Sequence, residues 1–136
     1  MMKQILDANV LIRFLRNDHP EHSRKSRVLI AQAEVGEIRL VLLASVVAEA
    51  VFVLTSVYGC SRREVAESLL PFLHHGGIDC PEADSVSDAL RRFQSKRIDY
   101  MDCYLAAEAK VRGIPVVSFD RDFRKFDDID WCQPGD

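Results

Sequence analysis

Several common signals are missing from this chain, and each absence closes a class of function. Its four cysteines, Cys60, Cys80, Cys103 and Cys132, form no C-x-x-C pair, which excludes a zinc knuckle and a thioredoxin-type motif. Its four histidines, His19, His22, His74 and His75, show no H-x-x-x-H spacing and read as surface or helix-end residues. No apolar run reaches the ~20 residues that span a bilayer. The most apolar stretch, Leu40 to Leu54, is interrupted by Ser45 and Glu49. The first residues reach Asp7 before any apolar signal-peptide core forms, so a cytoplasmic protein with reduced thiols and no membrane partner is expected. There is no repeat, no low-complexity tract and no Pro/Gly/Ser-rich linker. Positive charge is not in excess either. Eighteen basic residues face 21 acidic ones, for a net charge of −3. That balance argues against a protein coating nucleic acid by bulk charge, but not against a local nucleic-acid site.

What is present suits one soluble α/β domain over residues 1–136. A chain of this size buries roughly 68–70% of its unfolded surface and needs no staples. Ile5-Leu6 suits a brief strand closed by Asp7. Asn9 to Arg16 carries Val10, Leu11, Phe14 and Leu15 on one helical face. Asp18-His19-Pro20 restarts a helix towards Ala33 that stops near Gly36. Ile38 to Leu43 reads as a strand covered on both faces. A helix follows from about Val46 to Tyr58, ended by Gly59. Ser61 and Glu64 form a capping box for a helix whose face is Val65, Ala66, Leu69, Phe72 and Leu73, ending at His74-His75-Gly76-Gly77. Ile78 to Cys80 is a short strand. Pro81 opens a helix with Val86, Ala89, Leu90 and Phe93 at i, i+3, i+4, i+7. Another runs from about Met101 to Arg112, with Cys103 as a small core residue. Val116 to Ser118 is a strand, followed by an acid-rich turn and a short helix at Asp122 to Lys125. Short strands alternating with longer helices predict a parallel sheet with helices on both faces.

Four acids stand where surface solvation does not explain them. Asp7 ends the first strand, and ligands of open parallel sheets sit beyond the carboxyl ends of strands; alternatively it caps the next helix. Glu49 lies inside Val46-Val47-Ala48-Glu49-Ala50-Val51-Phe52-Val53-Leu54, where burial of a lone carboxylate costs several kcal/mol. It is expected to serve a metal or substrate site, or else to pair with a buried Arg. Asp102 shares a helical face with Leu105, Ala106 and Ala109 and so looks inward, or it merely complements the helix dipole. Asp99 is able to fill the same place. Asp120 follows the Val116–Ser118 strand and is either a site residue or a turn-forming cap. Carboxylates about 5 Å apart repel by roughly 3 kcal/mol per pair at an effective dielectric of 20. If the four converge, they call for a cation, and all-oxygen ligation favours Mg²⁺ or Mn²⁺ over zinc.

The order of these motifs resembles the PIN-domain ribonucleases, above all their VapC-type toxin branch. The matching pieces are Leu6-Asp7-Ala8-Asn9-Val10-Leu11, then Ser45 to Leu54, then Ile98-Asp99-Tyr100-Met101-Asp102-Cys103-Tyr104-Leu105-Ala106-Ala107, then Val116-Val117-Ser118-Phe119-Asp120-Arg121-Asp122-Phe123. The resemblance implies a PIN-like α/β/α sandwich with a central parallel sheet of order 3-2-1-4-5. It carries the catalytic, metal-binding acids onto Asp7, Glu49, Asp102 and Asp120, and supporting polar positions onto Asn9 and Ser118. Ser118 stands where Thr is usual and keeps the hydroxyl. Asp99 and Asp122 become further supporting acids, with Asp102 preferred to Asp99 as ligand because of the Asp-x-x-Leu-Ala-Ala run. The implied activity is Mg²⁺- or Mn²⁺-dependent endoribonuclease cleavage of transfer or ribosomal RNA. The implied partners are a small cognate antitoxin and a second copy of the chain.

An acidic site needs cationic help to draw in a phosphate chain. Arg13 and Arg16, Arg24, Lys25 and Arg27, and Arg121, Arg124 and Lys125 are candidates, each alternatively a solvated helix face. Tyr58, Tyr100 and Tyr104 suit base stacking or, more simply, core packing. Two rival readings remain. One is a non-catalytic PIN-fold module that binds RNA or protein; such modules usually lose an acid, and here all four positions are filled. The other is a haloacid-dehalogenase-like phosphatase. That chemistry wants Asp-x-Asp after strand one, and this chain has Asp7-Ala8-Asn9. Setting the four proposed site acids aside leaves 17 acids against 18 bases, so the negative total does not oppose an RNA substrate.

Overall fold

The computed structural model describes residues 2–136. These divide into two compact units, residues 2–83 and 84–136, each with its own parallel strands, helices and buried apolar residues.

In the first unit, β1 (Met2–Ile5) leads to α1 (Ala8–Arg16) and α2 (Pro20–Glu34). β2 (Ile38–Val41) then leads to α3 (Ala44–Ser56) and α4 (Arg62–Phe72), and β3 (Ile78–Asp79) closes the unit. The strands pair in parallel in the order β1-β2-β3, with Ile5 opposite Val41 and Val41 opposite Asp79. Parallel pairing aligns the carboxyl ends of all three strands, so Asp7 and the start of α3 stand at the same end of the sheet. α1 packs against α2 and α3, and α4 against α3. Leu6, Leu11, Ile30, Leu40, Val47, Leu54 and Leu69 are fully buried, which supplies most of the driving force for this unit. β2 is less covered than its sequence suggests: of its four residues only Leu40 is fully buried.

Local signals set the helix ends. The expected capping box is formed. Ser61 Oγ accepts from the Glu64 N–H at 3.1 Å, and Glu64 Oε1 accepts from the Ser61 N–H at 2.9 Å. Cooperation between these two bonds holds the first turn of α4. At the other end of that hairpin, Gly77 has φ of +82°, and a Cβ there would overlap the Ala33 carbonyl. Only glycine allows the chain to pass so close to α2 while its carbonyl accepts from the Leu40 N–H.

In the second unit, α5 (Ala83–Ser95) and α6 (Tyr100–Arg112) precede β4 (Val116–Val117), a 3₁₀ helix (Arg121–Lys125) and β5 (Trp131–Cys132). β4 and β5 pair in parallel. Val86, Leu90, Phe93, Ile98, Cys103, Phe123 and Phe126 are buried. Cys103 is the small core residue its sequence context suggests, with its thiol on the Ile98 carbonyl at 3.7 Å. α5 begins two residues after Pro81, because Pro81 and Glu82 form a turn first. β5 has no clear signature in the residues: Trp131-Cys132 is two residues long and is held by its partner strand. Within the units the strands pair as 3-2-1 and 4-5, two separate sheets rather than one of order 3-2-1-4-5.

Candidate active site

Asp7 is the residue at which β1 turns into α1. Its Oδ2 accepts from the Asn9 N–H at 3.1 Å, so it caps α1. Both Asp7 and Asn9 are exposed, so the cap leaves the second carboxylate oxygen open to solvent. Capping and a site role are therefore compatible in one side chain.

Glu49 corrects the sequence reading. It is exposed rather than buried among apolar neighbours. The reason is helical phase. Ser45, Glu49, Phe52 and Ser56 are all exposed and follow one another at steps of four, three and four, while Val47, Ala50, Val51 and Leu54 are buried on the opposite side. An exposed carboxylate needs no buried Arg, and the buried-salt-bridge alternative falls. Glu49 keeps its place on the second turn of α3, beyond the carboxyl end of β2.

The second unit gathers its acids. Asp99 is the residue before α6, and Asp102 lies in that helix's first turn. Asp120 and Asp122 sit at the start of the 3₁₀ helix. Asp102 is half-buried, and its carboxyl is pushed up to about 6. The causes, in order, are loss of water, the charge of Asp120, the charge of Asp99, a hydrogen bond with Asp120, and the charge of Asp122. So the other three acids predicted in this half, Asp99, Asp120 and Asp122, all act on the Asp102 carboxyl group.

Short backbone-to-side-chain bonds hold the cluster. Ser118 Oγ accepts from the Asp120 N–H at 2.9 Å, and Asp120 Oδ1 accepts from the Asp122 N–H at 2.8 Å. The indole of Trp131 donates to the Ser118 carbonyl at 2.9 Å, and the Ser118 N–H donates to the Cys132 carbonyl at 3.0 Å. The hydroxyl expected at position 118 thus fixes the turn that presents Asp120. Lys125 pairs with Asp122 at 3.1 Å. Leu105, expected to face inward with Asp102, is instead largely exposed, while Ala106 and Ala109 are buried.

Among the described residues, no group of three or more His, Cys, Asp or Glu side chains is arranged as a ready-made metal cage. The donor chemistry nevertheless fits a hard divalent cation: the gathered groups are carboxylates, and burial followed by their mutual charge raises Asp102. The tyrosines divide. Tyr100 is buried, as core packing requires. Tyr58 is half-buried and donates its hydroxyl to Asp18 at 2.6 Å, and Tyr104 donates to Glu108 at 2.8 Å.

Arg92 and Asp128 carry no signal that sequence reasoning used. Arg92 is buried and chelates Asp128 with bonds of 2.8 and 2.6 Å, while its Nε donates to Asp88 at 3.0 Å. Its guanidinium lies over the Phe126 ring, 5.2 Å from the ring centre.

Comparison with known proteins follows these motifs. The family model of the PIN domain matches residues 5–129. The chain belongs to the PIN domain family. Its α/β class, with parallel strands joined by helices, is that of the family's α/β/α fold. This PIN domain is similar to a VapC ribonuclease of Aquifex aeolicus, at 25% identity over 123 residues, covering 90% of each chain. The VapC-type branch read from the motifs is therefore also the branch of a named relative. A solved structure described as VapBC2 from Rickettsia felis bound to a promoter DNA fragment aligns over 98% of each chain, at 14% identity and a TM-score of 0.36. Among the described residues of the PIN domain, no helix is long and apolar enough to cross a membrane.

Proposed function

We propose that the chain is a metal-dependent endoribonuclease of the VapC type, a single PIN domain over residues 1–136 that hydrolyses RNA phosphodiester bonds. The observation that carries this reading is the gathering of Asp99, Asp102, Asp120 and Asp122, with Asp102 and Asp120 in hydrogen-bonding contact. Carboxylates brought together at such electrostatic cost suit a cation, and the family match supports reading that cation as a nuclease cofactor. Asp102 and Asp120 would hold Mg²⁺ or Mn²⁺, with Asp7 and Glu49 as the remaining acids of the family motif. Such an ion, when bound, supplies Lewis-acid activation of water and neutralises charge on the phosphate.

The chain's own residues do the rest. Ser118 orients Asp120 through the Asp120 N–H, and Asp120 orients Asp122 in turn. Asn9 fixes one oxygen of Asp7 through its backbone and leaves the other outward. Asp99 and Asp122 keep the potential at Asp102 negative. The reading extends to a structured RNA of the transfer or ribosomal class as substrate, a small antitoxin that blocks the site, a homodimer as the working form, and a cytoplasmic location. The VapC relative supports the toxin assignment.

The test is cleavage of a mixed transfer and ribosomal RNA substrate by the purified chain. Cutting in Mg²⁺ or Mn²⁺ that stops in EDTA, and that Asp7→Ala abolishes, is the expected result. Cutting at the wild-type rate by Asp7→Ala, or undiminished in EDTA, overturns the mechanism.

A further inference from the structure

The first unit carries an open cleft of about 580 Å³ between α1 and α2. Asn9, Val10 and Arg13 line it from α1, and His22, Lys25 and Leu29 from α2. No carboxylate is among its lining residues. From its chemistry and place we infer that this cleft seats the phosphate backbone of single-stranded RNA leading to Asp7. The inference rests on the ribonuclease reading and adds the path by which substrate arrives.

Three observations support it. The cleft begins at Asn9, whose N–H is bonded to the Asp7 carboxylate, so it opens beside a proposed catalytic acid. Arg13 follows Asn9 by one helical turn on the same face, and its guanidinium is steadied by Asp18 at 3.2 Å and the Tyr58 hydroxyl at 3.3 Å. Among the described residues Lys25 pairs with Glu21 alone, across an exposed 3.0 Å contact. Exposed pairs of this kind contribute little, so a phosphate readily takes the place of Glu21. His22 stacks on His19 with ring centres 3.9 Å apart, which presents a flat surface where a base can lie.

Two other cations of α1 and α2 are engaged elsewhere, and Arg24 is exposed and does not line the cleft. Arg16 lies over the Tyr58 ring and reaches Cys60, and Arg27 bonds Asn17. Of the eight sequence candidates, Arg13 and Lys25 are the two that line the cleft, and His22, which looked like a plain surface residue, joins them.

The experiment measures binding of a short fluorescein-labelled single-stranded RNA by anisotropy, in EDTA, at salt from about 50 to 200 mM. Lys25→Gln should weaken binding roughly fivefold and reduce the log–log salt slope by about 0.7, the value for one lost phosphate contact on a single strand. Lys25→Glu should weaken it tenfold or more. Arg13→Lys keeps the charge without the Tyr58 fork and should bind at nearly the wild-type level, whereas Arg13→Gln should not. Arg91→Gln, an exposed change in the second unit, should leave affinity and slope alone. Wild-type affinity and slope in Lys25→Glu, or an equal loss in Arg91→Gln, overturns the inference, even if Lys25→Glu loses a protein partner. Because binding is read without cleavage, the two readings separate. A chain that binds through Lys25 but never cuts RNA refutes the ribonuclease and keeps the cleft. A chain that cuts RNA and binds undiminished with Lys25→Glu refutes the cleft alone.

Discussion

Asp102 and Asp128 lie in the same 53-residue unit, 84–136, yet the protein treats them in opposite ways. Asp128 is gripped by Arg92 at 2.6 Å and Lys110 at 3.3 Å, and these cations hold its carboxyl down at about 2. Burial, and then the charges of Asp120, Asp99 and Asp122, lift the carboxyl of Asp102 to about 6. The fold thus supplies cations where a carboxylate has a structural task. At Asp102 it supplies further carboxylates, with Lys125 paired to Asp122 at their edge; the proposed cation would supply the remaining countercharge.

Breaking each side of this contrast should have a different readout. The largest effect is expected from Asp102→Asn. It should lower RNA cleavage about a hundred- to a thousandfold, as loss of a group that stabilises transition-state charge does, with the thermal midpoint kept or raised. Arg92→Met comes next. It leaves Asp128 without its bidentate partner and removes the contact with Phe126. The expected cost is about 2–3 kcal/mol in urea unfolding, below the usual value for a buried pair because Asp128 is partly exposed. Cleavage by the folded fraction should be unchanged.

Glu49→Gln sharpens the contrast from the first unit. Since Glu49 is exposed, unfolding free energy should move by no more than about 0.5 kcal/mol, while Mn²⁺ affinity falls roughly tenfold. A large loss of stability with unchanged affinity would restore a structural role. The smallest effect concerns pH. The native carboxyl of Asp128 is depressed from 3.8 to about 2, so its stabilisation is complete above pH ~3.8 and is lost as pH falls through about 2. The gap in thermal midpoint between wild type and Arg92→Met should therefore narrow over that window. A gap that stays constant would mean that Arg92 acts by packing alone.

The helices α3 and α6 show what the sequence discloses and what it hides. α3 is the more apolar, and its carboxylate at Glu49 is the exposed one; α6 is mixed, and its Asp102 is half-buried. Composition misleads here, while phase does not: the polar stripe Ser45, Glu49, Ser56 is visible in the letters at helical spacing. Periodicity and caps also located nearly every helix, and the Ser61–Glu64 box is formed as read. The short strand β5 was hidden because two residues carry no period. Arg92 was hidden because it sits on the apolar face of α5 beside Leu90 and Phe93, where a charged residue is tolerated only through Asp128, 36 positions away. The grouping of Asp102 with Asp120 and Asp122 depends on the β4 turn meeting the start of α6, a tertiary event that spacing cannot encode.

The most direct test of the cation account is the thermal midpoint of the wild type and Asp102→Asn, measured in EDTA and again with saturating Mn²⁺ at neutral pH. Binding to the native state raises the midpoint. The account predicts that Mn²⁺ raises the wild-type midpoint by several degrees and leaves that of Asp102→Asn nearly where EDTA left it. An equal rise in both proteins, or no rise in the wild type, would contradict it.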